Sequence, residues 1–194
     1  MRQPVVRRGG GLAIAGAVIL ALAGCSGNDA SDSPAAADAV SKDTLGKLVA
    51  GDDNLSVVAS AMNDAGLTQV FDGAAAYTLF APTNAAFDKL GETGTQLRTP
   101  EQRAAMVAVL RDHIVPGYLT TADIENAVKE SDGGKVEMKT MGDHTLTFSG
   151  EGDALTIKSQ DGATAHFAGD SLRGSNGVAV PIDGVLKAAA TPAA

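Results

Sequence analysis

The sequence predicts an α+β domain, and three observations carry that reading. Apolar residues recur at helical spacing through the first part of residues 43–187. After Ser131-Asp132-Gly133-Gly134 the period changes to two, the alternation of half-buried strands. Helices that come first and strands that follow fit segregated layers rather than a doubly wound sheet. Residues 43–187 are also the length of one domain and long enough for a real core.

The ends of the chain read differently. In residues 1–24, Arg2, Arg7 and Arg8 precede an apolar run, Leu12 to Ala23, that is short for a bilayer span and suits an export leader. It closes in Leu22-Ala23-Gly24-Cys25, which resembles the lipobox of bacterial lipoproteins. Cys25 is the single cysteine and has no internal disulfide partner, so lipidation is expected there. An ordinary signal peptide cut near Ala23 is the alternative. Residues 25–42, rich in Ser, Asp, Ala and Gly, cannot bury enough apolar surface to order themselves and read as a tether. Residues 188–194 read as a frayed tail. The expected location is the cell envelope, with the lipid bilayer as partner through Cys25. That means the outer membrane in a diderm cell, otherwise the outer face of the plasma membrane.

Charge narrows the partners. Setting the three leader arginines aside from the 15 basic residues leaves 12 against 23 acidic, a net of −11. Such a surface repels phosphate backbones and anionic headgroups, which argues against nucleic acid.

Within the domain, Leu45, Leu48 and Val49 form one apolar helix face. Asp52, Asp53 or Asn54 can cap a second helix carrying Leu55, Val58, Ala59 and Met62 and ending at Gly66. Leu67, Val70 and Phe71 lead into an Asp72-Gly73 turn. Tyr77-Thr78-Leu79-Phe80 has strand composition, and Ala81-Pro82 is expected to stop it, since proline lacks the ladder N–H. Thr83 can then cap a short helix through Asn84 and Phe87. Thr99-Pro100-Glu101-Gln102 predicts a capping box, followed by the stripe Ala105, Met106, Val109, Leu110. That stripe is read as running on into Asp112–Tyr118, with Pro116-Gly117 ending the element, and a helix is predicted over Thr121 to Val128 with Thr120 or Thr121 as cap. Strands follow around Val136–Thr140, His144–Phe148, Ala154–Ile157, Ala163–Phe167 and Val178–Ile182, joined mainly by Gly- and Asp-containing turns.

Three stretches together resemble the fasciclin (FAS1) domain family. Thr78-Leu79-Phe80-Ala81-Pro82-Thr83-Asn84-Ala85-Ala86-Phe87 is similar to its first block. Asp112-His113-Ile114-Val115-Pro116-Gly117 is similar to its central Tyr-His block. Asn176-Gly177-Val178-Ala179-Val180-Pro181-Ile182-Asp183 is similar to its closing block. They occur in family order across 44–186. The resemblance implies several helices packed on an antiparallel β-wedge and a role in adhesion or partner binding without enzymatic activity. It marks Phe80, Pro82, Thr83, Asn84, Phe87, Asp112, His113, Pro116, Tyr118, Asn176, Gly177, Ile182 and Asp183 as motif residues. The chain departs from the pattern at Asp112, where the family has tyrosine, and at Ala179 or Val180, where it has histidine. Animal members engage integrins through an Asp-Ile element before the closing block. The nearest match here, Asp170-Ser171-Leu172, lacks the isoleucine, so integrin binding is not carried over.

No nucleophile elbow, P-loop or dinucleotide fingerprint is present. His113, His144 and His166 have no zinc-ligand spacing, and no EF-hand loop occurs, so no cofactor or metal is expected. His113 is expected to be structural, and His144 and His166 to sit on strands as rim or solvated positions. Tyr77 is expected to face the core and Tyr118 to be an exposed contact residue. The functional expectation is a lipid-anchored interaction module for an unidentified protein or matrix partner. The alternative is an envelope carrier with an apolar pocket between helices and wedge.

Overall fold

The computed structural model describes residues 39–187. The leader, Cys25, most of the tether and the tail 188–194 lie outside the described residues. The helices are α1 (Leu45–Ala50), α2 (Ser56–Asp64), α3 (Thr68–Phe71), α4 (Asn84–Asp88), α5 (Glu92–Leu97), α6 (Arg103–Asp112) and α7 (Thr121–Glu130). The strands are β1 (Tyr77–Pro82), β2 (Ile114–Pro116), β3 (Lys135–Lys139), β4 (Thr145–Ser149), β5 (Thr156–Ser159), β6 (Thr164–His166), β7 (Leu172–Gly174) and β8 (Gly177–Ile182).

Two sheets result, ordered β2-β1-β8-β7 and β3-β4-β5-β6. The second is an antiparallel meander of the kind the alternating sequence calls for. The first is antiparallel except between β1 and β8, which run parallel from Tyr77↔Gly177 to Pro82↔Ile182. A parallel pair needs a long crossover, and here almost the whole intervening domain supplies it.

Strand β8 is buried at every position, and β1 at every position after Tyr77. The reason is that β1 and β8 are covered on both faces, which requires near-continuous apolar sequence. Leu79, Ala81 and Ala179 point into a core built with α1, α2, α4 and α6. Phe80, Val178, Val180 and Ile182 point into a second core, shared with α7 and the meander through Ile124, Leu146, Phe148 and Ile157. The fold class is therefore α+β.

Several local expectations need correction. Ala81-Pro82 does not stop β1, because Pro82 pairs with Ile182 without using an N–H and the next ladder bond is Thr83 N–H to the Ile182 carbonyl at 3.0 Å. No capping box forms at Thr99, whose side chain makes no cap bond. A 3₁₀ turn over Pro100–Gln102 intervenes, and the Gln102 N–H bonds to the Thr99 carbonyl at 3.1 Å. A reciprocal box forms instead at α7. There Thr120 Oγ1 accepts from the Asp123 N–H at 3.2 Å, and Asp123 Oδ2 accepts from the Thr120 N–H at 2.8 Å. The Thr120 bonds hold the Asp123 carboxyl below its ordinary range. None of the three candidate caps serves α2 itself, which starts at Ser56 without a side-chain cap; Asp52 instead caps the 3₁₀ turn Asp53–Leu55 ahead of it, accepting from the Asn54 N–H at 2.8 Å. Strand β5 starts at Thr156 rather than Ala154, after a 3₁₀ turn over Gly152–Ala154. Helix α5 and strand β7 were not expected, being too short and polar for a periodic signal. The α6 element does not run on to Pro116-Gly117 either: the helix ends at Asp112, and Ile114–Pro116 forms β2, whose apolar residues pair with β1.

Candidate functional site

The parallel strands carry four of the thirteen motif residues, Phe80, Pro82, Gly177 and Ile182, and Thr83, Asn84, Asn176 and Asp183 lie within two positions of their ends. Phe80 and Phe87 flank the Pro82 corner, both fully buried and in different cores. Phe80 lies 5.1 Å from Phe148 and 6.4 Å from Phe167, ring centre to ring centre. Phe87 lies beneath the guanidinium of Arg98, 5.6 Å from the ring centre. Thr83 caps α4 by accepting from the Ala86 N–H at 3.3 Å. Asn84 fastens α4 to the start of α2. Its Oδ1 accepts from the Val57 N–H at 3.1 Å, and its Nδ2 donates to the Asp53 carbonyl at 2.8 Å and to Ser56 Oγ at 2.9 Å.

The closing block is fastened in the same way. Asn176 Oδ1 accepts from the Leu45 N–H at 2.8 Å, while its Nδ2 donates to the carbonyls of Phe71 and Gly73 at 2.6 and 2.7 Å. That one amide joins α1, α3 and the entry to β8. Gly177 follows because any Cβ there would run into the Tyr77 carbonyl. Ile182 is fully buried. Asp183 Oδ1 accepts from the His166 N–H at 2.8 Å, and Lys89 Nζ donates to the Asp183 carbonyl at 3.0 Å. Burial alone would raise the Asp183 carboxyl; the His166 N–H and the Lys89 charge outweigh it and hold it below its ordinary range.

His113 is fully buried between the layers. Its Nδ1 lies 2.7 Å from the Val109 carbonyl and its Nε2 2.8 Å from the Leu186 N–H. A backbone N–H can only donate, so Nε2 is the acceptor and Nδ1 carries the proton, giving the neutral ring. Burial lowers its pKa to about 4, against smaller upward pulls from the Val109 carbonyl and the Asp112 and Asp161 charges.

Pro116 closes β2 at an exposed position. Tyr118 is not the exposed contact residue expected from its place after Pro-Gly. It packs against the second core and its hydroxyl is buried, because Gly117, at φ +116°, turns the chain back over the sheet.

Sequence reasoning missed one pairing. Asp112, which stands where the family has tyrosine, is 5% exposed, and its Oδ1 lies 2.7 Å from Nδ1 of His144. His144 therefore sits in the β3–β4 turn, tied to the end of α6, rather than simply solvated on a strand. Gly142 makes the approach possible, since a Cβ there would occupy the place of Asp112 Oδ1. The available signal was the aspartate itself, standing where the resembled pattern has an aromatic residue: a carboxylate in such a place needs a partner. Beside this pair a cleft of about 200 Å³ takes in Ser159, Asp161 and Lys187. Ser159 Oγ donates to Asp161 Oδ1 at 2.6 Å, not to an imidazole, so the cluster is not arranged as nucleophile and base. Among the described residues no group of three or more His, Cys, Asp or Glu could hold a metal ion. No helix among them is long and apolar enough to cross a membrane. Another cleft, of about 270 Å³, opens between α2 and the start of α6, inside the helical layer rather than between helices and wedge.

Comparison with known proteins agrees with this architecture. Residues 53–188 match the family model of the fasciclin domain. Protein sll1483 of Synechocystis sp. is 30% identical over 148 residues, which cover 74% of this chain and 72% of that protein. Transforming growth factor-beta-induced protein ig-h3 of Sus scrofa is 28% identical over 146 residues, 74% of this chain but 19% of that protein. Among solved structures, the FAS1 domain pair from the insect cell adhesion molecule fasciclin I aligns with a TM-score of 0.66 at 17% identity. That alignment covers 76% of this chain and 51% of the other, and at this identity it speaks for the fold alone.

Proposed function

The chain belongs to the fasciclin family, and from that premise we propose that it is an exported, lipid-anchored envelope protein whose domain is a non-enzymatic adhesion and interaction module. The observation that carries this reading is the match of residues 53–188 to the fasciclin domain, a family whose resemblance implies adhesion or partner binding. The use of the motif side chains supports it: Asn84, His113, Asn176 and Asp183 are engaged with the chain itself, so the family pattern builds a frame whose outer surface is left for a partner. Cys25 after its apolar leader supplies the anchor, and the bilayer and a matrix or surface protein are the partners.

Deleting the gene should reduce adhesion, aggregation or biofilm formation, and restoring the full chain should recover it. Cys25→Ser should move the protein out of the membrane fraction and lower adhesion with the fold intact. A deletion strain that adheres and aggregates normally under every growth condition tried would sink the adhesive role. Cys25→Ser protein that stays in the membrane fraction would sink the anchor.

A further inference from the structure

The cleft between α2 and α6 has the chemistry of a ligand site that the adhesive reading does not use. Its floor is apolar: Ala61 and Met106 are 9% and 5% exposed, and the partly buried Val57 and Leu97 pack against the same core. Its rim carries two arginines and one carboxylate, Asp64. Two of the four arginines in the described residues, Arg98 and Arg103, line this one opening, in a chain whose balance is strongly acidic.

The two arginines are held differently. Arg98 is fixed, with Nη2 2.8 Å from Asp88 Oδ1 and its guanidinium over the Phe87 ring. A guanidinium carries five N–H donors, so one carboxylate oxygen leaves it with capacity to spare. Arg103 is exposed and has no ion-pair partner among the described residues. Between them Thr99 also lines the cleft, and its hydroxyl makes no cap bond. Asp64 lies on the α2 wall without an ion pair to either arginine, and its charge disfavours an anion beside it, which leaves the arginine edge as the place for one.

We infer that this cleft binds a small amphipathic monocarboxylate. The carboxylate sits at the Arg98–Arg103 edge, where guanidinium and carboxylate match in geometry, and the aliphatic part lies on Ala61 and Met106. The volume is near the lower end for small-molecule sites, which suits a short chain. The inference stands or falls independently of the adhesive role.

The test uses the full chain in lipid nanodiscs, with empty nanodiscs as the blank for partitioning, and reads the Met106 methyl group by NMR. Three probes share one tail: octanoate, octanol and octylamine. Octanoate should shift the Met106 signal saturably and leave the Met138 signal in place, while octanol binds more weakly and octylamine does not bind. Arg103→Gln should weaken octanoate about tenfold, the loss of one charge-assisted contact. Arg98→Gln with Arg103→Gln should abolish binding, while Asp88→Asn, which breaks the same ion pair but keeps both guanidinium groups, should retain it and so separates lost stability from lost recognition. Equal binding of octylamine or octanol would show an apolar sink and overturn the inference. Unaltered octanoate affinity in the double variant, or no saturable shift at Met106, would overturn it as well.

Discussion

The β1–β8 strand pair and the α2–α6 cleft put polar side chains to opposite uses. Around the strands, Asn84, His113, Asn176 and Asp183 are met from within the chain, by backbone groups of α1, α2, α3, α6 and β6. At the cleft, the Thr99 hydroxyl makes no cap bond, and Arg103 faces solvent over an apolar floor. The fully buried His113 must find its partners inside or destabilise the fold, and the partly buried Asn84, Asn176 and Asp183 are taken up by backbone groups, whereas the exposed Arg103 can wait for a ligand. The residues that identify the family are thus the ones least able to report what this member binds.

The corner of β1 is where a single substitution should do the frame most damage. Phe87→Ala removes a fully buried ring from the first core and should cost about 3–5 kcal/mol in urea unfolding. An unchanged melting temperature would mean that Phe87 is not a core anchor.

Acid should weaken the frame next, through His113. Burial lowers its pKa from an ordinary 6.5 to about 4 in the folded chain. Between those values the unfolded chain binds a proton that the folded chain refuses, so stability falls as pH drops from about 6.5 to about 4 and the loss is complete below that. The shift is equivalent to about 3 kcal/mol. The carboxyls of Asp123 and Asp183, held below their ordinary range, lose their contribution only in stronger acid. Stability curves at pH 7 and pH 4.5, with the His113 ring followed by NMR, separate the two windows. A His113 ring that titrates near 6.5 would show that it is not sealed.

Asn176→Ala should come third. It strands the Leu45 N–H and the Phe71 and Gly73 carbonyls, at a cost of about 1–3 kcal/mol. Hydrogen exchange at Leu45 should rise together with the drop in stability, because α1 loses its attachment to β8.

The order of these effects explains what the sequence could and could not disclose. The helical period of α2 and α6, the alternation of β3 and β4, and the apolar run of β8 were legible because each is a local pattern set by burial. The parallel pairing of β1 with β8 was not, since it joins residues about a hundred positions apart and leaves no local mark. Pro82 was misread for the same reason: whether a proline ends a strand depends on which neighbour needs its N–H. The Asp112–His144 pair is likewise long-range, and its only sequence trace was an aspartate where the family has tyrosine. The cleft draws on α2, α6 and the 97–100 turn, none of which is distinctive alone. Local caps at Thr83 and Thr120 could be read from sequence, although Thr99 could not; a site assembled across elements leaves no such mark.

His144→Ala tests the intermediate case. It leaves the buried Asp112 carboxylate without its partner, but the imidazole is 47% exposed, so solvent screens much of the interaction. A loss of about 1 kcal/mol is expected, below that of Asn176→Ala and measurable by urea unfolding.

Arg103→Gln should have the smallest effect on stability and the clearest effect on binding. The side chain is exposed and makes no ion pair among the described residues, so the change should stay within about 0.5 kcal/mol. If the frame and the cleft are as separable as their hydrogen bonding indicates, this variant will unfold like the parent while its Met106 methyl no longer responds normally to octanoate. A large loss of stability would instead place Arg103 among the residues that hold the helical layer together. The cleft would then belong to the frame, and the division between the two regions would fail at its most exposed residue.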